Sequence, residues 1–227
     1  MAQASFTSRP FFDYTRMFDL DDRDIEAKRI LDCPGGGSPF AAQVNLRGGN
    51  CTAVDPTYSL GLNEIISLLE REGIRDRSWV ESAKGANLNF FGSSESASRV
   101  RDAAAQVFLN DFIAHRERYV AGKLPSLPFA SGDFDLVVCS HLLFCYPTDP
   151  AGLEVEYIIE LCRVSRGEVR IFPLVDIHGE IFMDVERVRQ TLHQKEIVTK
   201  ILEVVPSSLM GTSRMLVCTA ATKGNTR

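Results

Sequence analysis

The chain has 227 residues, 44% of them hydrophobic and 24% charged. That is enough for one sizeable core and too apolar for general disorder. A net charge of -5 argues against a strong, sequence-independent hold on nucleic acid, which draws on clustered Lys and Arg.

The N-terminal stretch carries scattered aromatics and then Asp19, Asp21, Asp22 and Asp24, so neither a signal peptide nor a membrane span is expected. The six cysteines include no Cys-x-x-Cys pair, and a reduced, cytoplasmic protein without a membrane partner is the expectation. His115, His178 and His193 show no metal-ligand spacing.

Phe12, Tyr14, Met17, Phe18 and Leu20 among charges predict a helix or ordered arm over residues 1–28, packed beside the first strand. Arg29–Cys33 reads as that strand, Phe40–Arg47 as a helix ending before Gly48-Gly49, and Cys51–Val54 as the second strand. Leu60–Glu72 has a helical apolar period closed by Gly73. Ile74–Ser94 has no clear period and is expected to be a loop, and a further helix is predicted from Ser96 to about Arg118.

Tyr119–Ala121 is a short third strand, and Phe134–Ser140 a fourth whose apolar run implies burial on both faces. A helix over Leu153–Val164, a strand over Glu168–Val175 and a helix over Asp184–Gln194 follow, then strands at Lys200–Val205 and Met215–Thr222. This alternation specifies an α/β fold: a single doubly wound, mostly parallel sheet of seven strands with helices on both faces. Residues 29–227 are expected to form one such domain.

The chemistry concentrates at strand ends. Asp32-Cys33-Pro34-Gly35-Gly36-Gly37-Ser38 joins an acid to a turn whose glycines let a ligand approach the backbone, just ahead of a helix start. A connection without a ligand satisfies the same pattern. Asp55 follows Gly36 by 19 residues, where dinucleotide-type folds place an acid on ribose hydroxyls; the alternative is a cap of the next helix.

Ile30–Pro56, then Leu127-Pro128-Phe129, then Phe134–Phe144 resemble class I S-adenosylmethionine-dependent methyltransferases, a likeness that spans roughly residues 29–222. The resemblance implies a seven-stranded sheet with its last strand antiparallel, S-adenosyl-L-methionine as donor and S-adenosyl-L-homocysteine as product. Asp32, Pro34, Gly35 and Gly36 would then border the methionine part, Asp55 would hold the ribose, and Pro56 would border the adenine. The family's adenine-binding acid is replaced by Gly122-Lys123-Leu124-Pro125, so a backbone amide at Lys123 or Leu124 would substitute. Pro34 and Ser38 also replace the first and last glycines of the family's acid-x-Gly-x-Gly-x-Gly pattern.

Ser140 and His141 leave strand four at the ligand-binding edge of such folds, and His141, with a near-neutral pKa, is the candidate general base or else a packed histidine. Tyr14 and Arg16 lie in the arm that in many members covers the cofactor, although Arg16 also reads as a surface charge between Asp13 and Asp19. Cys139 and Cys145 read as packing residues.

The function so implied is methyl transfer to an O, N or C nucleophile of a small molecule. An Asn/Asp-Pro-Pro-Tyr motif is absent, against DNA base methylation. The rivals are a methyltransferase-like scaffold that binds cofactor weakly or not at all, and, less favoured, an NAD(P)-dependent reductase, whose site a glycine-rich turn plus an acid also describes.

Overall fold

A computed structural model describes residues 6–82, 91–145, 152–176, 179–205 and 212–220. They build one seven-stranded sheet in the order β3-β2-β1-β4-β5-β7-β6. The strands β1 (Arg29–Asp32), β2 (Asn50–Asp55), β3 (Tyr119–Ala121), β4 (Phe134–Ser140) and β5 (Ser165–Phe172) pair in parallel. The last strand, β7 (Arg214–Ala220), runs antiparallel between β5 and β6 (Ile197–Glu203), as the resemblance implied.

Residues alternate across the strands with period two, and each set finds its own helical layer. Leu31, Val137, Val169 and Ile171 pack with residues of α6 (Leu153–Val164) and α7 (Val185–Gln194). Ile30, Leu136, Val138 and Phe172 pack against α1 (Phe11–Met17), α3 (Phe40–Leu46), α4 (Leu62–Ser82) and α5 (Ser94–Ala114). Both faces are covered, which is why the runs Ile30–Leu31 and Leu136–Cys139 at the middle of the sheet are apolar. The short helix α2 (Asp22–Ala27) leads into β1 and is capped by Asp21, whose side chain accepts from the Asp24 amide.

The largest departure from the sequence reading is α4. It runs through Gly73, where it was expected to stop, and continues to Ser82. A glycine inside a helix costs about 1 kcal/mol relative to alanine. Here the extra turns are held by packing on α5, with Arg77 Nη1 2.9 Å from Asp102 Oδ1 and the buried Arg101 paired with Asp76. Part of the segment expected to be a loop is therefore helical, and its residues 83–90 lie outside the described set.

The helix α5 starts at Ser94, two residues before the expected point, because the Ser93 side chain accepts from the Ser96 amide at 3.1 Å. It stops at Ala114, and a short 3-10 turn over Arg116–Arg118 completes the path to β3. Strand β5 lies earlier than expected and ends at Phe172, since Pro173 has no N–H for the ladder. Strand β6 begins at Ile197 rather than Lys200.

The N-terminal segment is fastened to the sheet by Arg170 of β5. Its Nη1 donates to the Phe18 carbonyl at 2.7 Å, the Asp19 carbonyl at 3.1 Å and Asp24 Oδ2 at 3.0 Å. Arg170→Ala is expected to lower stability by about 1.5–3 kcal/mol, the range for hydrogen bonds to a charged group. Urea denaturation checks this, and an unchanged midpoint would show that the fastening is redundant. Burial alone would raise the Asp24 pKa, but Lys28 and Arg170 outweigh it and hold the carboxyl below its usual 3.8. This contribution is present above that value and is lost as the pH falls below it.

Candidate functional site

The site begins where β1 ends. The Cys33 amide donates to the Val138 carbonyl and the Gly35 amide to the Val54 carbonyl, each at 3.0 Å, so the turn after Asp32 is stitched to both neighbouring strands. A Cβ on Gly35 would sit 2.4 Å from Tyr58 Oη and 2.8 Å from Ala53 Cβ, leaving no room for a side chain. Gly36 has φ of 53°, in the left-handed region that glycine adopts freely. Tyr58 Oη donates to the Gly36 carbonyl at 2.7 Å and locks the turn from below.

Asp55, at the end of β2, joins this turn directly. Its Oδ2 accepts from the Gly36 amide at 3.1 Å, and its Oδ1 accepts from the Thr57 amide at 2.9 Å and Thr57 Oγ1 at 2.6 Å. The acid therefore caps the 3-10 turn over Pro56–Ser59 and at the same time braces the glycine turn. Burial pushes its pKa up, against the Thr57 and Gly36 donors. Ser38, standing where the family has its last glycine, accepts from the Phe40 amide at 3.2 Å and donates to the Arg9 carbonyl at 3.0 Å.

Asp32 is fully buried, and neither carboxyl oxygen has a hydrogen-bond partner of normal geometry among the described residues. Burial pushes its pKa well up, with Asp55 adding to the rise and the Tyr14 hydroxyl and Arg9 opposing it. The unfolded chain ionises near 3.8 while the folded chain resists ionisation, so above that pH Asp32 weakens the free protein. Asp32→Asn should raise the melting temperature at neutral pH, and the gain should vanish towards pH 3; a melting point that falls at neutral pH would contradict this.

At the exit of β4, Ser140 is buried and His141 takes φ of 53°. The His141 amide donates to the Phe172 carbonyl at 2.8 Å, and its ring lies 5.8 Å from the Phe172 ring. Ser140 Oγ is 2.9 Å from His141 Nδ1, while Nε2 is buried with no partner among the described residues. Burial, then the charges of Arg9 and Arg101, hold the imidazole well below its usual pKa, so it is neutral at physiological pH. Phe144 and Phe182 face each other 5.0 Å apart beside this exit.

The remaining predicted residues are more dispersed. Pro56 is exposed on the 3-10 turn. The Gly122 amide donates to the Asp55 carbonyl at 3.4 Å, which sets Lys123 and Leu124 just beyond the same strand edge, Leu124 packed into the core. Tyr14 is buried, its ring stacked on Phe40 at 4.4 Å, and Arg16 lies in the last turn of α1.

The segment Phe6–Arg9 was not singled out by the sequence. The Thr7 carbonyl lies 3.4 Å from where a Gly36 Cβ would be, and Ser8 Oγ and the Phe6 ring lie 3.0 and 3.2 Å from that point on Gly37. Phe6 is buried edge-on to Phe108, 5.7 Å between centroids.

The six cysteines are free and buried, and burial pushes the Cys145 thiol up to about 12, away from nucleophile chemistry. Among the described residues no three His, Cys, Asp or Glu side chains cluster as metal ligands, and no helix is long and apolar enough to cross a membrane. His178 lies outside the described residues.

No known family profile matches the chain. The uncharacterized protein MJ0045 of Methanocaldococcus jannaschii is 31% identical over 185 residues, 78% of this chain and 81% of that protein. The chain belongs to the MJ0045 family.

Among solved structures, the mitomycin 7-O-methyltransferase MmcR superposes with a TM-score of 0.50 at 12% identity, over 93% of this chain and 54% of its own. A SAM-dependent methyltransferase from Aquifex aeolicus gives 0.47 at 11% identity, over 92% and 93% of the two chains. Magnesium protoporphyrin IX methyltransferase from Synechocystis gives 0.46 at 13% identity, over 91% and 80%. With the strand order and the antiparallel β7, the likeness to MmcR identifies the fold of this MJ0045 family member as that of class I S-adenosylmethionine-dependent methyltransferases.

Proposed function

We propose that the protein is an S-adenosylmethionine-dependent methyltransferase that acts on an O, N or C nucleophile of a small molecule. The observation that carries this reading is the linked pair of acids at the β1 and β2 exits. Asp32 keeps two buried oxygens without a partner of normal geometry among the described residues, beside a turn that admits only glycine, and Asp55 bonds to that same turn. Such orphaned acceptors fit a ligand cation, and the cofactor has one in its amino group.

In this reading Asp32, Pro34, Gly35 and Gly36 border the methionine part. Asp55 presents its carboxylate to the ribose hydroxyls, while Pro56 and the amides of Lys123 and Leu124 border the adenine. Residues 1–28 form an arm over the cofactor, with Tyr14 and Arg16 in it, and residues 29–227 form the domain beneath.

When bound, the cofactor supplies an electrophilic methyl group on a sulfonium. The protein's work is then orientation and exclusion of water, more than acid or base assistance. Where the acceptor is an O–H or N–H, His141 Nε2 takes the proton, and Ser140 Oγ on Nδ1 fixes the ring. The six buried free thiols support a reducing, cytoplasmic setting. The acidic net charge and the absence of a base-positioning motif support a small-molecule acceptor over nucleic acid.

A second reading is a protein of this fold that binds cofactor weakly and serves as a partner. The Thr7 backbone resting on Gly36 favours it, since it takes up space on the turn. Calorimetric titration with S-adenosylmethionine, S-adenosylhomocysteine and NADPH decides. The expected result is binding of the first two; binding of NADPH alone would sink the proposal, and no binding at all would favour the partner role.

A further inference from the structure

We infer that Phe6–Ser8 is an autoinhibitory plug, a piece of the chain seated on the glycine turn in the place that the cofactor must take. The inference rests on the cofactor reading above and adds a control on that site. The described form is the closed one, and the cofactor binds a form from which the segment has withdrawn.

The three glycines after Asp32 suit a ligand only where a face of their backbone is open to it. No such face is open. The Gly35 face is filled by Tyr58 and Ala53, with Tyr58 Oη 2.4 Å from where a Cβ would stand. Leu69, Ser8 Oγ and the Phe6 ring fill the Gly37 face. On Gly36 the three nearest atoms all belong to the segment, the Thr7 carbonyl oxygen at 3.4 Å, its amide nitrogen at 3.6 Å and the Phe6 carbonyl carbon at 3.9 Å.

These occupants differ in what moving them entails. Tyr58 is fully buried among Phe108, Phe112 and Tyr119, Ala53 belongs to β2, and Leu69 is carried by α4. Phe6–Ser8 belongs to no helix or strand, so it can leave without opening a backbone ladder. The turn therefore has one way in, at Gly36, whose amide is bonded to Asp55, and Thr7 stands in it.

The back of the segment is not sealed into the core. Thr7 and Ser8 are only half-buried, and with Phe6 they line a cavity of about 30 Å³ whose other walls include Glu72, Asp76, Arg101 and Asp102. A cavity of that size with polar walls suits solvent rather than dry packing. The segment is fastened at its ends instead. Phe6 is buried edge-on to Phe108 at 5.7 Å and to Tyr58 at 6.5 Å, and Ser38 Oγ donates to the Arg9 carbonyl at 3.0 Å. Thr7 lies between these two anchors and is held down on Gly36 by them.

A plug of this kind lowers the apparent affinity by the fraction of molecules that are open, and a weaker Phe6 anchor raises that fraction. The test is calorimetric titration of S-adenosylhomocysteine into the wild-type chain and into Phe6→Leu, Phe6→Ala and Phe6→Asp, with the thermal midpoint of each measured alongside. The expected result is affinity that rises in that order, by about tenfold or more at Phe6→Ala, since burial of the ring is worth at least that factor.

A ring that only supports the fold, or an arm that clasps bound cofactor, gives the opposite sign: affinity falls as the ring is cut back. Unchanged or weaker binding in the folded variants therefore overturns the inference. Should the harsher variants fail to fold, Phe6→Leu carries the comparison. Binding by Phe6→Ala where the wild type binds nothing supports the inference in its strongest form. Absence of binding in the wild type and in every folded variant would remove the cofactor reading and this inference with it, whereas a wild type that binds as tightly as its variants removes the inference alone.

Discussion

An Asp55→Ala protein should lose about 2–4 kcal/mol of folding stability and bind S-adenosylhomocysteine about 10- to 100-fold more weakly than the wild type. Two separate structures depend on this carboxylate. One is the glycine turn, whose Gly36 amide would be left buried without an acceptor; the other is the 3-10 turn, which would lose the cap made to Thr57. An orphaned buried amide costs about 1–3 kcal/mol and a lost cap about 1 kcal/mol. The affinity loss adds the ribose contact to the slackened turn.

Asp55→Asn separates the two parts. It can still accept from Gly36 through its carbonyl oxygen, so it should recover stability more than affinity. Urea denaturation and calorimetry read the two quantities independently. Unaltered affinity in a folded Asp55→Ala protein would refute the ribose assignment, and unaltered stability would show that Gly36 finds another acceptor.

Gly35→Val should cost about 3 kcal/mol or more, at the upper end for overpacking a filled site. The first added carbon already falls 2.4 Å from Tyr58 Oη, and that hydroxyl is not free to retreat. It is bonded to the Gly36 carbonyl, and its ring is wedged 5.4 Å from Tyr119 and 5.8 Å from Phe112. The strain passes straight into the turn, so binding should be lost along with stability. Gly61→Ala is the control, because its Cβ meets nothing nearer than Glu64 Oε2 at 3.4 Å. Equal thermal midpoints for the two variants would mean that the turn has slack which the packing does not suggest.

Most of the architecture was legible because the signals that specify it are local. The apolar runs at Ile30–Leu31 and Leu136–Cys139 are buried on both faces, and such runs have few alternatives to a central parallel strand. The extent of α4 was not legible, because the stop signal at Gly73 is local while the ion pairs that override it come from α5, 25 residues away. The start of β5 was hidden for a similar reason: Ser165–Gly167 has no apolar period, and its pairing with β4 includes a register shift between Phe134 and Leu136.

The site divides in the same way. The sequence offered two readings of Asp55, ligand acid and cap, and the side chain is a cap that also braces the turn on which a ligand would rest. Nothing in Phe6–Arg9 could be read from the chain. Phe6 is one aromatic among several in the N-terminal stretch, and its place against the glycine turn comes from the buried rings of Tyr58 and Phe108 that folding brings to it.

The packing of Phe6 and Thr7 on the glycine turn also bears on how fast the site can exchange its contents. Any ligand that touches Gly36 must first lift Thr7, and lifting Thr7 draws Phe6 away from Tyr58 and Phe108. Loading would then be a unimolecular opening followed by capture. In stopped-flow mixing its observed rate should climb with ligand concentration and level off at the opening rate, whereas Phe6→Ala should raise the plateau.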